Sequence, residues 1–169
     1  MKRIILSFLM LTLVVSAFSQ IKVGIRLDMK SGSYGEMTCQ EMLDKNGDEF
    51  KAEWDNLRIS IAKDIAETLN KETSGDKIEY GWFTEPTPYL LTFAVQRIEK
   101  NGKLYGFAVA QYVTPDRKSA FYKQVLEESG DDTKKYTKFT SKCFTKAAKR
   151  IADDLKDAIL KEAKKNDKK

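Results

Sequence analysis

The sequence predicts an α+β fold: a mostly antiparallel sheet of four to five strands with two amphipathic helices on one face. Three observations carry that reading. Tyr89–Val113 holds two apolar runs joined by Asn101-Gly102, the dipeptide that best tolerates the positive φ of a two-residue hairpin turn. Phe50, Trp54, Leu57, Ile61, Ile65 and Leu69 recur at helical spacing, and so do Cys143, Ala147, Ile151, Leu155, Ala158 and Ile159. Ile21, Val23, Ile25 and Leu27 alternate with Lys22, Gly24 and Arg26, the period of a half-buried strand.

Residues 1–19 read as a secretory signal peptide. Lys2 and Arg3 form a positive n-region, Ile4 to Val15 is almost wholly apolar, and Ala17-Phe18-Ser19 places small residues at the −3 and −1 positions of a cleavage site. Cleavage is expected after Ser19. No cysteine follows the apolar run, so a lipid anchor is not expected, and nothing later reaches the ~18 apolar residues that a transmembrane helix needs. The expected location is the periplasm or the medium. The expected division is a signal peptide at 1–19, one α+β domain at 20–164 and a flexible Lys-rich tail at 165–169.

Composition narrows the function. The net charge is +5, of which Lys2 and Arg3 supply two, leaving +3. That balance and export point away from nucleic acid. The chain has no histidine, which removes the commonest general base, the Ser-His and Cys-His pairs and the commonest metal ligand. Cys39 and Cys143 are an even pair in an oxidising compartment and form a candidate disulfide; the other reading is two separate thiols. Neither has a CxxC partner, so a catalytic thiol is not expected.

In chain order, strand Ile21–Met29 leads into a long loop, 30–48, with a helical turn near Glu41–Leu43. Its Ser31–Gly35 stretch reads as a surface loop, with ligand binding as the alternative. Asp44–Asp55 spaces oxygens like a calcium loop, but Glu49 stands where the sharp turn needs Gly, so Asp48 reads instead as a helix cap. A helix follows at 49–73 and ends near Gly75. Strand 76–84 presents Ile78, Tyr80 and Trp82 on one face, and Pro86 and Pro88 break it. In the hairpin, a two-residue loop sets Ile98 against Tyr105 and Ala94 against Val109. Its first face carries Leu91, Phe93 and Val95 with Gly106, Ala108 and Ala110, large across from small, as a close-packed helix requires. Its second face, with Leu90, Ala94, Tyr105, Phe107 and Val109, is too apolar to be simply solvated. Residues 119–128 fit a strand or a helix; the short turn before them favours a fifth strand. A closing helix runs over 139–164.

No catalytic constellation and no metal site emerge, and no cofactor is expected. The residues best placed to meet a ligand or partner are Trp82 and Phe83, beside the proline turn, and Tyr105 and Phe107, on the second face. Core or rim packing is the competing reading for each. The order of elements over Ile21–Lys164 resembles uncharacterised exported bacterial α+β proteins, and more distantly the amino-terminal domain of TolB and the curli-secretion lipoproteins. That resemblance implies an accessory role in the envelope and carries over no active-site motif. Two functions follow. The first is a non-enzymatic binding or assembly module that meets a protein partner or another copy of itself through a sheet face or edge. The second is a small hydrolase with paired carboxylates, Glu79 with Glu85 or Asp131 with Asp132, acting on an envelope or carbohydrate substrate.

Overall fold

The computed structural model describes residues 20–116, 118–129 and 141–168. The expected signal peptide and the acids Asp131 and Asp132 lie outside the described residues. Strand β1 (Ile21–Asp28) sits inside the sheet. β4 (Ile78–Gly81) and β5 (Tyr89–Ile98) flank it, both parallel to it. β5 pairs antiparallel with β6 (Leu104–Val113), and β6 with β7 (Lys118–Glu128). Two short strands, β2 (Ser33–Tyr34) and β3 (Met37–Thr38), continue the sheet beside the end of β5.

The α+β class and the fifth strand at 118–128 agree with the sequence reading. The antiparallel expectation is corrected: the sheet is mixed, with seven strands among the described residues and the main order β4-β1-β5-β6-β7. Helix α1 (Cys39–Asn46) and helix α2 (Asp48–Glu72) carry the chain from the end of β1 back to its start, so β4 must run parallel to β1. The segment Trp82–Pro88 crosses over β1, from Gly81 at the level of Gly24 to Tyr89 at the level of Val23, and β5 runs on parallel to β1.

The stretch read as a long loop folds because Thr38-Cys39-Gln40-Glu41 is a capping box. The Glu41 N–H donates to Thr38 Oγ1 at 3.2 Å, and the Thr38 N–H donates to Glu41 Oε2 at 2.8 Å. The Thr38 N–H and the Thr38 hydroxyl, both donating to Glu41 Oε2, hold the Glu41 carboxyl below its ordinary value. α1 runs to Gly47, whose φ of 88° turns the chain directly into α2. Asp48 is thus not a cap; it lies in the first turn of α2, where the helix dipole favours an acid. Helix–glycine–helix leaves no open loop for a calcium ion at Asp44–Asp55.

α2 buries Trp54, Ile61, Ile65 and Leu69 of the predicted stripe. Helix α3 (Lys142–Asn166) buries Cys143, Ala147, Ile151, Leu155 and Ile159, and it extends two residues into the expected tail. Both long helices pack on the same face of the sheet, α2 on β1 and β4, α3 on β6 and β7, and against each other. The core is one cluster between helices and sheet, centred on Ile25, Leu91, Phe93, Ile65 and Phe144, all 0% exposed.

The Asn70 side chain of α2 closes the β4 edge. Its Nδ2 donates to Tyr80 O, and the Tyr80 N–H donates to its Oδ1, each at 2.8 Å. Asn70→Ala leaves both backbone groups of Tyr80 without these partners. The expected loss is about 1–3 kcal/mol of stability. Chemical denaturation measures it, and an unchanged midpoint would show that water replaces the amide at no cost.

Candidate functional site

Among the described residues no helix packs on the second sheet face. Strand alternation assigns it Lys22, Gly24, Arg26 and Asp28 of β1, Leu90, Thr92 and Ala94 of β5, Tyr105, Phe107 and Val109 of β6, and Lys123, Val125 and Glu127 of β7. The neighbours at alternate positions, Val23, Ile25, Leu91, Phe93, Ala108 and Leu126, are the buried ones.

The β4–β1 side of this face is covered by the returning segment Trp82–Pro88, and two glycines let it sit close. A Cβ at Gly81 would stand 2.7 Å from the Phe83 ring, and one at Gly24 would stand 2.6 Å from Thr87 Oγ1. Thr87 Oγ1 accepts the Gly24 N–H at 3.1 Å and donates to Tyr89 O at 2.8 Å, pinning the segment to both parallel strands. Arg26 reaches into it, with its guanidinium 4.7 Å from the Trp82 ring centroid and Nη2 donating to Phe83 O at 3.4 Å. Lys22 Nζ lies 5.5 Å from the Phe83 ring.

Across the sheet, a second set of rings pairs with cations. Arg97 and Lys103 lie 4.5 and 5.0 Å from the Tyr105 ring, and Lys123 Nζ lies 4.2 Å from that of Phe107. Lys103 also meets Glu127 at 2.7 Å, a contact that raises the lysine's pKa and lowers the glutamate's. Beside Phe107, directly across β6–β7, is Val125, at 60% the large exposed hydrophobic of the described residues.

Trp82, Phe83, Tyr105 and Phe107 therefore share one face but form two clusters, separated by β1 and β5 or about 14 Å of sheet. The first cluster is bound into the crossover; the second borders the uncovered part of the face. The cations on each ring and the exposed valine went unnoticed in the sequence, although the alternation of β7 puts Lys123, Val125 and Glu127 in register with that face.

Of the two carboxylate pairs in the hydrolase reading, Asp131 and Asp132 lie outside the described residues. Glu79 lies on β4 beside Lys22, and Glu85 is exposed in the crossover. Among the described residues no group of three or more acids or thiols comes together at metal-binding spacing. A cleft of about 460 Å³ between α2 and α3 interleaves Asp64, Glu67 and Glu72 with Lys71, Lys146 and Lys149, so its charges neutralise one another.

The candidate disulfide is corrected. Cys39 and Cys143 are both buried thiols, not bonded to each other. Cys39 opens α1 against Tyr34 and Arg58, and Cys143 opens α3 near Glu128 and Lys146, so each lies in different surroundings. Burial pushes both thiols up, Cys143 to about 11, and raises the phenols of Tyr34 and Tyr80 above theirs. At pH 8 the native chain is expected to resist a neutral alkylating reagent, and in denaturant without reductant to take two labels by mass. A single unlabelled species would reveal a bridge. Raised pKa values stabilise the fold fully below the unfolded ones. Stability therefore falls as pH climbs past 9.0 for Cys143, until its folded value near 11, and past 10.0 for the tyrosines. Urea midpoints that stay flat from pH 8 to 10.5 would contradict this.

No family model matches the chain, and no curated protein matches it. Solved structures that match include a PelC dodecamer from Paraburkholderia phytofirmans, with 12% identity and a TM-score of 0.37 over 80% of this chain and 88% of that one. That likeness is too slight to bear on activity. Among the described residues no helix is long and apolar enough to cross a membrane.

Proposed function

We propose that the chain is an exported envelope protein that works as a non-enzymatic binding or assembly module, through the uncovered part of its sheet face and the edge beside it. The observation that carries this is the one-sided placement of the helices. Among the described residues no helix packs on the strand surface of Phe107, Val109 and Val125; Val125 is exposed, Phe107 and Val109 are half-buried, Lys123 lies over the Phe107 ring, and Arg97 and Lys103 stand beside it, at the Tyr105 ring. Apolar centre and charged rim are the anatomy of a protein contact. Export rests on the amino-terminal pattern alone, and the resemblance in element order to TolB-like and curli-secretion domains agrees with it.

A photo-crosslinking residue at position 107, in cells, is the test. Adducts to protein are expected from 107 and not from 153 on the outer side of α3. Equal labelling from both positions, or none from 107, would overturn the reading. Sequencing of the isolated chain's amino terminus tests export; Gln20 is expected first, and a retained Met1 would refute processing.

A further inference from the structure

The edge strand β7 points to the partner, and this inference rests on the binding-module reading. Among the described residues β7 pairs with β6 alone, through ten of its eleven residues with Phe121 bulged out, whereas Asn70 closes the opposite edge. The outward groups of β7 follow from its neighbours. The Glu99 N–H donates to Lys103 O at 2.9 Å, and the Val113 N–H donates to Pro88 O at 2.8 Å, so odd-numbered residues of β6 turn their backbone groups toward β5 and even-numbered ones toward β7. Gln124 and Leu126, opposite Ala108 and Gly106, thus bond to β6. Lys123, Val125 and Glu127 turn their N–H and C=O groups away from the sheet. Arg150 agrees, donating from Nη2 to Val125 O at 3.2 Å from outside the sheet.

We propose that a second copy of this chain pairs along this edge, β7 antiparallel to β7, about a two-fold axis at Val125. In that register Lys123 of each copy stands opposite Glu127 of the other, and the exposed Val125 side chains meet on the axis. Sliding the register by two residues either way sets a charge against Val125 and loses both ion pairs, so the sequence selects one alignment. The Arg150 guanidinium yields Val125 O to the incoming strand and keeps its partner Glu128. The two open faces then lie on the same side of one continuous sheet, and their apolar strips merge across the axis.

The test is solution mass by light scattering on the full chain over a dilution series. The wild type is expected to dimerise. Lys123→Glu and Glu127→Lys each set like charges opposite one another twice and are expected to weaken self-association roughly tenfold. The double variant restores it, and a mixture of the two single variants associates more tightly than either alone. The double variant does not restore the Lys103–Glu127 contact within one chain, so recovery reports the contact between copies. Circular dichroism and thermal melting confirm that each variant is folded. Val125→Cys is expected to cross-link across the axis under mild oxidation, since the native thiols are buried. A wild type that is monomeric at every concentration, a dimer indifferent to the charge changes, or a dimer that Val125→Cys fails to trap would overturn the inference. A monomer that still gives adducts from position 107 would leave the binding-module reading standing; loss of both would end that reading too.

Discussion

Phe93→Ala is expected to lower the unfolding free energy by about 3–5 kcal/mol. Phe93 is 0% exposed on β5, beneath the helices, and its register neighbours on either side are Leu27 and Ala108. The alanines of β6 are what make the loss large. The phenyl ring fills space that Ala108 and Ala110 leave, and after truncation no long side chain across the hairpin can swing into the void. The contrasting variant is Phe107→Ala, on the other face of the same hairpin, with an expected cost under about 1 kcal/mol. Denaturant midpoints for the two variants, at unchanged slope, measure the asymmetry. Equal losses would mean that the second face is covered as well as the first.

Gly106→Ala is expected to cost about 3 kcal/mol or more, the upper end for an overpacked site. A Cβ at this position would stand 2.2 Å from Ala94 O, a backbone atom in the middle of the sheet that cannot step aside. The approach is close because β5 bulges between Val95 and Arg97, directly opposite Gly106. Relief requires the bulge to move, which would shift the register of the hairpin beyond it. Loss of the cooperative transition would be an extreme form of the expected result; a wild-type midpoint would show that the bulge is mobile and not built in.

The same bulge explains what the sequence revealed about the hairpin and what it hid. Alternation correctly sorted Leu91, Phe93 and Val95 with Ala108 and Ala110 on one face, and Tyr105 and Phe107 on the other. The pairing was wrong. Ala94 meets Phe107 instead of Val109, and Ile98 meets Leu104 instead of Tyr105. The turn is Glu99–Gly102, closed by the Gly102 N–H on Glu99 O, with Gly102 at φ 77°; the loop is one residue longer than a two-residue hairpin. That displaces the register by one residue, and the bulge at Gln96 displaces it by another. Two steps restore the original face, so the candidate residues stayed on the right side of a misaligned sheet.

Other losses have equally local causes. The signal for α1, Thr38 followed three residues later by Glu41, was present but outweighed by the Gly and Ser residues before it. The parallel order of β4, β1 and β5 had no such signal. It depends on a seven-residue return that needs Gly24 and Gly81 beneath it, and nothing local distinguishes those glycines from turn residues. The fifth strand was decided by the shortness of the turn before it, since Phe121, Val125 and Leu126 suit either period.

That return gives β1 an unusual place in the order of assembly. The first strand to emerge is also an interior one, and both of its neighbours are made much later, β4 after two helices and β5 after the crossover. Until then β1 is a hydrophobic ribbon with two bare edges and no hairpin partner, so the chain cannot fold progressively from its start. Closure comes late and at once: Thr87 docks on Gly24 as β5 arrives, and the strand is enclosed by helices below and the crossover above. A chain built this way leaves β1 open until β4 and β5, at residues 78–98, have been made, and those middle segments decide when the first strand is safe from aggregation.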